Sequence, residues 1–493
     1  MQTTHKIFYV VFAAFVLFAL YCFNPLNFYF LNDDFIHISL AKEHVLFQRN
    51  SLRPIGDLSL MLDYYLGKLN ATQYHTTNLI LHILNSILII FCTKKLLNKY
   101  LNVPNIQAIS FLTAIIFFIY PFHSESIFWI LGRSASLGMF FFLLSLNFFF
   151  EFEKSLLYKF LFYIFYVIGL FSYESVWVLP IFIFIFFLIE NKHLSFQRKQ
   201  KSIQFNIVFL FIAYLIFRKV ITNEFLGTYE TNHFQNFDIY ELCKNFLGLV
   251  YRSMIPPFVY ANNFIIIAVI LCIFIYVVYL LKNKKFNIFF LGIVFLLSLF
   301  PYLSLGVDTH SSEGERFLYM PSYFIILFLV ISIFQFIKNF TARYFIVSII
   351  MAYCCYFLYT SQKNYSHAST IVKTTMSIFK NIETNKTIYI DSLPVRVGGA
   401  AIFRTGFEES LNLMQEKKVK IIVCTTKKNE NKQAKEFSII AKEFMGKKDI
   451  QEILIPDTTF KNPYISKKIN LLEISKANSI YIKFLDEGVE VYQ

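Results

Sequence analysis

Several common signatures are missing from this 493-residue chain. Its seven cysteines show no zinc-type spacing: Cys22, Cys92, Cys243, Cys272, Cys354 and Cys355 lie in or beside apolar segments. The seventh, Cys424, stands by itself in a polar C-terminal tail, so the tail has no internal disulfide. The apolar run after Lys6 has no small-residue cleavage site, and Tyr21 before Cys22 spoils a lipobox. That run therefore reads as a retained signal-anchor span. The net charge is +14, yet no long basic patch accompanies it, which argues against nucleic acid as a partner. A complete Gly-rich phosphate fingerprint is also lacking.

Apolar sequence is abundant. The chain is 56% hydrophobic and 19% aromatic, with mean hydropathy +0.52. Soluble domains average roughly 45–50% apolar and lack runs of about twenty apolar residues. About eleven spans are expected, near 7–25, 75–93, 107–121, 135–151, 157–172, 176–190, 204–220, 262–281, 286–305, 320–337 and 343–360. Lysines and arginines concentrate in alternate loops: Lys94, Lys95 and Lys99; Lys154 and Lys159; Lys192, Arg198, Lys199 and Lys201; Lys282, Lys284 and Lys285; Lys338 and Arg343. The opposite short loops carry chiefly Arg133 and Arg316. The positive-inside rule then places the N-terminus in the cytoplasm.

With that orientation, Asp33, Asp34, Glu125, Glu174, Asp308, Glu313 and Glu315 all fall on the outer side. Any one of them reads equally well as interfacial solvation; gathered on one face, they suggest an outward-facing site. The first outer loop, about 26–74, holds the paired carboxylates and an Arg53-Pro54 step. Leu58, Leu62, Leu66 and Leu69 recur there at helical spacing, predicting a helix in the membrane interface, with a second one over 36–47. In the next span His75, Asn78, His82 and Asn85 share one helical face. The stripe must look into the bundle, either for interhelical hydrogen bonding or to line a substrate cavity. The two histidines, roughly 10 Å apart along the axis, are too far apart to share one metal.

Beyond about Ser361 the composition turns polar. TIYIDSL, VKIIVCTT, EILIP and SIYIKFLD read as strands, with helices near 406–417 and 431–446, giving a small α/β domain. Residues 1–360 would then be the transmembrane domain and 361–493 an extracytoplasmic α/β domain. The glycines of VGGAAIFRTGFEES suit a structural loop better than a phosphate cradle.

NDDF, SLRPIGDLSLMLDYYLG, YHTTNLILHILNSIL, PFHSESIFWILGRSASL, SYESVWVLP and ERFLYMPS occur in that order over residues 30–325. As an ordered set they resemble GT-C glycosyltransferases, above all the membrane domain of TMTC-type O-mannosyltransferases. No tetratricopeptide repeats follow here; the α/β module stands in their place. The resemblance implies an all-α GT-C-like membrane domain and inverting transfer of a mannose-like hexose from a polyprenyl-phosphate carrier. Asp33 or Asp34 would be the base, with Arg133 and Arg316 as candidates for the donor phosphate. Arg53, His75, Asn78, His82, His123, Glu125, Glu174 and Glu315 complete the candidate set.

The chemistry is coherent on first principles. A carboxylate deprotonates the acceptor hydroxyl, and guanidinium groups fork onto the departing phosphate. Glu125, eight residues before Arg133, and Glu315, beside Arg316, would otherwise pair with those neighbouring cations. No cofactor is expected. Asp33, Asp34, His123 and Glu125 are conceivable metal ligands, but adjacent aspartates are not a spaced Asp-x-Asp motif, and the resemblance points to metal-independent transfer. The expected partners are the bilayer, a polyprenyl-phosphate-linked sugar and an acceptor protein, lipid or glycan, in a bacterial inner membrane. Two other functions fit a protein of this kind: a flippase or transporter of lipid-linked sugar, and a glycan polymerase or ligase. A flippase would place charges midway through its spans and repeat its helix pattern, and neither feature is present.

Overall fold

The structure, a computed structural model, describes residues 2–47, 52–101, 103–191, 197–223, 238–257, 286–379, 387–391, 393–415 and 421–423, with short strands and isolated residues elsewhere. It comprises two compact units. One is Met1–Asn27 with Val45–Lys363; the other is Phe28–His44 with Asn364–Gln493. The stretch bearing Asp33 and Asp34 thus belongs to the same unit as the C-terminal residues.

The first unit is helical. Ten of the eleven expected spans fall on helices, and nearly all of 262–281 lies outside the described residues. Among the described residues five helices are long and apolar enough to cross a membrane: Ala71–Leu101, Ile130–Phe150, Arg198–Thr222, Glu315–Phe336 and Phe340–Ser377. A sixth is possible if Ile106–Phe118 and Pro121–Phe128, bent by 57°, form one broken span. The protein is therefore an integral membrane protein. Other expected spans are shorter helices: Leu156–Leu170 is about 22 Å long against a hydrocarbon core of about 30 Å.

Local chemistry sets the helix ends. Asn70 caps Ala71–Leu96 by accepting from Thr72 N at 3.2 Å, and Lys94 and Lys95 complement the dipole at its far end. Pro54 opens the helix Pro54–Gly67, on which Leu58, Leu62 and Leu66 are exposed while Asp57 and Asp63 are buried. The helix expected from the leucine spacing is thus present, with its apolar residues outward and its acidic ones inward. The core forms where Ala71–Leu96 packs against Arg133–Phe150 and Ile106–Phe118, and Tyr319–Phe336 closes on Ile106–Phe118. Gly138 allows the Tyr173 turn to approach closely: a Cβ there would sit 2.6 Å from Tyr173 Cβ.

In the second unit a four-stranded sheet runs in the order Ile421–Val423, Thr387–Asp391, Ser479–Phe484, Val489–Tyr492. The first three strands are parallel and the last is antiparallel to its neighbour, with Tyr481 opposite Tyr389 on one side and Tyr492 on the other. The strands expected at 387–393, 419–426 and 479–486 are present; Val489–Tyr492 was not expected. Of EILIP, Ile453–Leu454 pairs with Lys468–Ile469 outside this sheet. The helix expected at 406–417 is Phe407–Gln415, whereas 431–446 lies outside the described residues. Gly398 turns the hairpin between Arg396–Val397 and Ala400–Ala401 at φ +55°. The second interfacial helix expected over 36–47 is instead Asp34–Lys42. Its Phe35, Ile38 and Ala41 are buried, and it packs on Phe407–Gln415, so this apolar face serves the interior of its own unit.

Candidate functional site

The paired carboxylates sit at the start of Asp34–Lys42 and differ in environment. Asp34 is 1% exposed, and its Oδ2 accepts from Leu31 N at 2.9 Å, closing the turn it stands on. Asp33 is the partly exposed N-cap, and its side chain makes no capping bond. Its Oδ1 accepts from Asn32 Nδ2. Asn32 lies in the left-handed region, φ +52°, and is itself buried.

The first unit holds a set of buried ion pairs between segments distant in sequence. Arg53 grips Glu174 through Nε (3.0 Å) and an η-nitrogen (2.7 Å), and Arg218 lies 3.7 Å from the same carboxylate. Arg133 pairs with Asp63 at 2.5 Å and also donates to Asn78 Oδ1, Ser59 Oγ and O, and Tyr74 O. All three of its guanidinium nitrogens thereby donate within this unit. Arg252 and Glu315, both fully buried, pair at 2.5 Å, and Ser124 Oγ donates to the other Glu315 oxygen. Arg316 reaches Glu125 at 2.6 Å, and its backbone N–H binds the same carboxylate at 3.0 Å. Glu125 and Glu315 therefore pair, but not with the neighbours expected from sequence. Glu125 takes Arg316 instead of Arg133, and Glu315 takes Arg252 instead of Arg316. Adjacent residues on a short helix point in different directions, so Glu315 and Arg316 face different partners.

The polar stripe is buried throughout. His82 bridges Tyr319 OH (2.7 Å) and Phe118 O (3.0 Å), and Asn85 donates to Ser136 O (2.9 Å) and Tyr319 OH (3.2 Å). His123 Nε2 meets Ser322 Oγ at 2.6 Å, its ring 5.6 Å from that of His82. Asn78 holds Trp129 O and orients Arg133. Of the two readings of the stripe, interhelical hydrogen bonding is the one this geometry realises for Asn78, His82 and Asn85. His75 is fully buried on the same face.

Among the sequence candidates, Asp33 and Asp34 lie in the second unit. Arg53, His75, Asn78, His82, His123, Glu125, Arg133, Glu174, Glu315 and Arg316 lie in the first. Asn32, Asp63, Arg218 and Arg252 were missed. Arg218 stands beside Lys219 in the last turns of Arg198–Thr222, so in sequence it reads as a cation flanking a span. Arg252, the last residue of the helix Ile239–Arg252, has nothing in the local sequence to mark it. Among the described residues no three of His, Cys, Asp and Glu gather as metal ligands.

By sequence, part of the chain is similar to protein O-mannosyl-transferases. Those relatives are Protein O-mannosyl-transferase TMTC1 of Mus musculus, 30% identical over 133 residues, and TMTC3 of Homo sapiens, 28% identical over 120. The matches cover 27% and 24% of this chain but only 13% and 12% of those proteins. No family model matches. Among solved structures, ArnT from Cupriavidus metallidurans bound to undecaprenyl phosphate aligns at 8% identity with TM-score 0.45, covering 88% of each chain. Its apo state gives TM-score 0.47, covering 90% of this chain and 92% of that one.

Proposed function

We propose that the chain is a membrane glycosyltransferase moving a mannose-like hexose from a polyprenyl-phosphate carrier to an acceptor hydroxyl on the extracytoplasmic face, without a metal. The observation that carries this reading is the sequence likeness to protein O-mannosyl-transferases. Asp33 is the base: it is the partly exposed carboxylate, whereas Asp34 is buried and tied to Leu31 N. The acceptor O–H proton passes to Asp33 and the acceptor oxygen bonds to the anomeric carbon. The C–O bond to phosphate breaks with its electron pair, and this single displacement inverts the anomeric centre. Of the two expected phosphate ligands, Arg316 is preferred, with a side chain 16% exposed against 1% for Arg133. A bacterial inner membrane suits a polar tail with one cysteine.

The test is transfer by purified protein in lipid, from radiolabelled polyprenyl-phosphate mannose to a membrane-plus-protein extract, with and without chelator. Transfer that survives chelator is expected. Asp33→Asn should lower kcat by about 10²–10⁴-fold while the protein stays folded. Wild-type turnover in Asp33→Asn refutes the base. Absence of transfer from any polyprenyl-phosphate monosaccharide refutes the reaction class.

A further inference from the structure

Asn32 is tied to a segment 373 residues later in the chain. Its Oδ1 accepts from Thr405 N at 2.9 Å and from Thr405 Oγ1 at 3.2 Å. Its backbone N–H donates to Ile402 O at 2.7 Å. These bonds fix which way the Asn32 amide faces. A backbone N–H only donates, so the atom it meets must be the amide oxygen, and the NH₂ group is turned to the other side. There it donates to Asp33 Oδ1, leaving Oδ2 as the oxygen Asn32 does not engage.

The fit leaves no room for slippage. Gly406 has φ +78°, and a Cβ there would lie 2.4 Å from Asn32 O and 3.5 Å from Asp33 Cα. Asn32 is likewise held at positive φ, a conformation asparagine tolerates better than most residues. Immediately beyond Gly406 the chain enters the helix Phe407–Gln415, packed on Asp34–Lys42, so the contact is anchored on both sides.

We propose that Ile402–Gly406 is a positioning clamp for the Asp33 carboxylate, acting through Asn32, with Asn32 and Thr405 as positioning residues for transfer. This rests on Asp33 being the base. The clamp orients the carboxylate by one amide hydrogen bond, so that a chosen oxygen meets the acceptor hydroxyl. Its loss should slow the chemical step and leave donor binding unchanged, because its hydrogen bonds run through Asn32 to the carboxylate that takes the acceptor proton.

The test compares Asn32→Asp, Thr405→Val and Asp33→Asn in lipid, with polyprenyl-phosphate mannose as donor and thermal midpoints in parallel. Asn32→Asp keeps an acceptor for Thr405 and tolerates positive φ, but replaces the donor facing Asp33 with a second carboxylate. The expected result is kcat down about 10–100-fold with donor KM unchanged. Thr405→Val removes only the hydroxyl donor and should lower kcat about 3-fold, again at constant KM. If Asn32→Asp fails to fold, Thr405→Val decides alone. Unchanged kcat, or kcat and KM shifting together with the midpoint, overturns the clamp. Full activity in Asp33→Asn overturns the base itself, a failure distinct from that of the clamp.

Discussion

Arg252 and Glu315 are both wholly withdrawn from solvent, paired at 2.5 Å. Removing one partner of such a pair strands a buried charge, at a cost of about 3–5 kcal/mol. The two halves are unequal. Without Glu315, Arg252 keeps Asp308 O at 3.1 Å and Ile255 O at 2.6 Å, so Glu315→Ala belongs at the low end. Without Arg252, the Glu315 carboxylate keeps the Ser124 hydroxyl, and Arg252→Met belongs at the high end. Converting the carboxylate to an amide in the same molecule, Arg252→Met/Glu315→Gln, removes the stranded charge. The double variant should therefore be more stable than Arg252→Met by about 2 kcal/mol, although it carries one more substitution. Size-exclusion chromatography of detergent-purified protein after a heating series measures this as the temperature at which half the monodisperse peak is lost. A double variant no more stable than Arg252→Met would refute the reasoning, because the carboxylate would then not be the source of the instability.

Three other outcomes follow from named contacts. Arg133→Lys offers three donors on a flexible stem in place of a five-donor fork, so it should cost about 1–3 kcal/mol for each buried acceptor left unmet, seen as a lower thermal midpoint. Gly132→Ala would put a Cβ 1.9 Å from Glu125 O, and a backbone carbonyl cannot swing aside, so the yield of folded protein should collapse. At Glu151, burial would raise the carboxyl, but hydrogen bonds and charge from Lys95 and Lys154 outweigh it and hold the group below its ordinary 4.5. A lowered folded value contributes stability above pH 4.5 that is lost as pH falls further, so the thermal midpoint should drop in that range and Glu151→Gln should flatten the fall.

Hydropathy made the helical unit legible, because each span is a local signal read within about twenty residues. The leucine pattern from Leu58 to Leu66 also revealed its helix and the helix's exposed apolar side. Partnerships were another matter. Arg252 and Glu315 are 63 residues apart and Glu125 and Arg316 are 191 apart, and no local pattern links such positions. Sequence therefore found the glutamates and supplied the wrong cations. The NDDF turn was conspicuous for its paired acids, but what separates Asp33 from Asp34 is set by backbone. Leu31 N engages one carboxylate, and an asparagine anchored by Thr405 holds the other.

The cross-chain pairing has a consequence for how this protein is made. Chains enter the membrane from the N-terminus onward, and segments can be inserted before their final neighbours exist. Glu125 and Arg252 must wait for Glu315 and Arg316, which adjoin each other at the head of a late helix. Until that helix arrives, Glu125 and Arg252 are without the partners they take in the folded unit. The Glu315-Arg316 step then supplies both partners at once, ahead of the last spanning helix, Phe340–Ser377. A chain interrupted before this point would lack the partners of both Glu125 and Arg252.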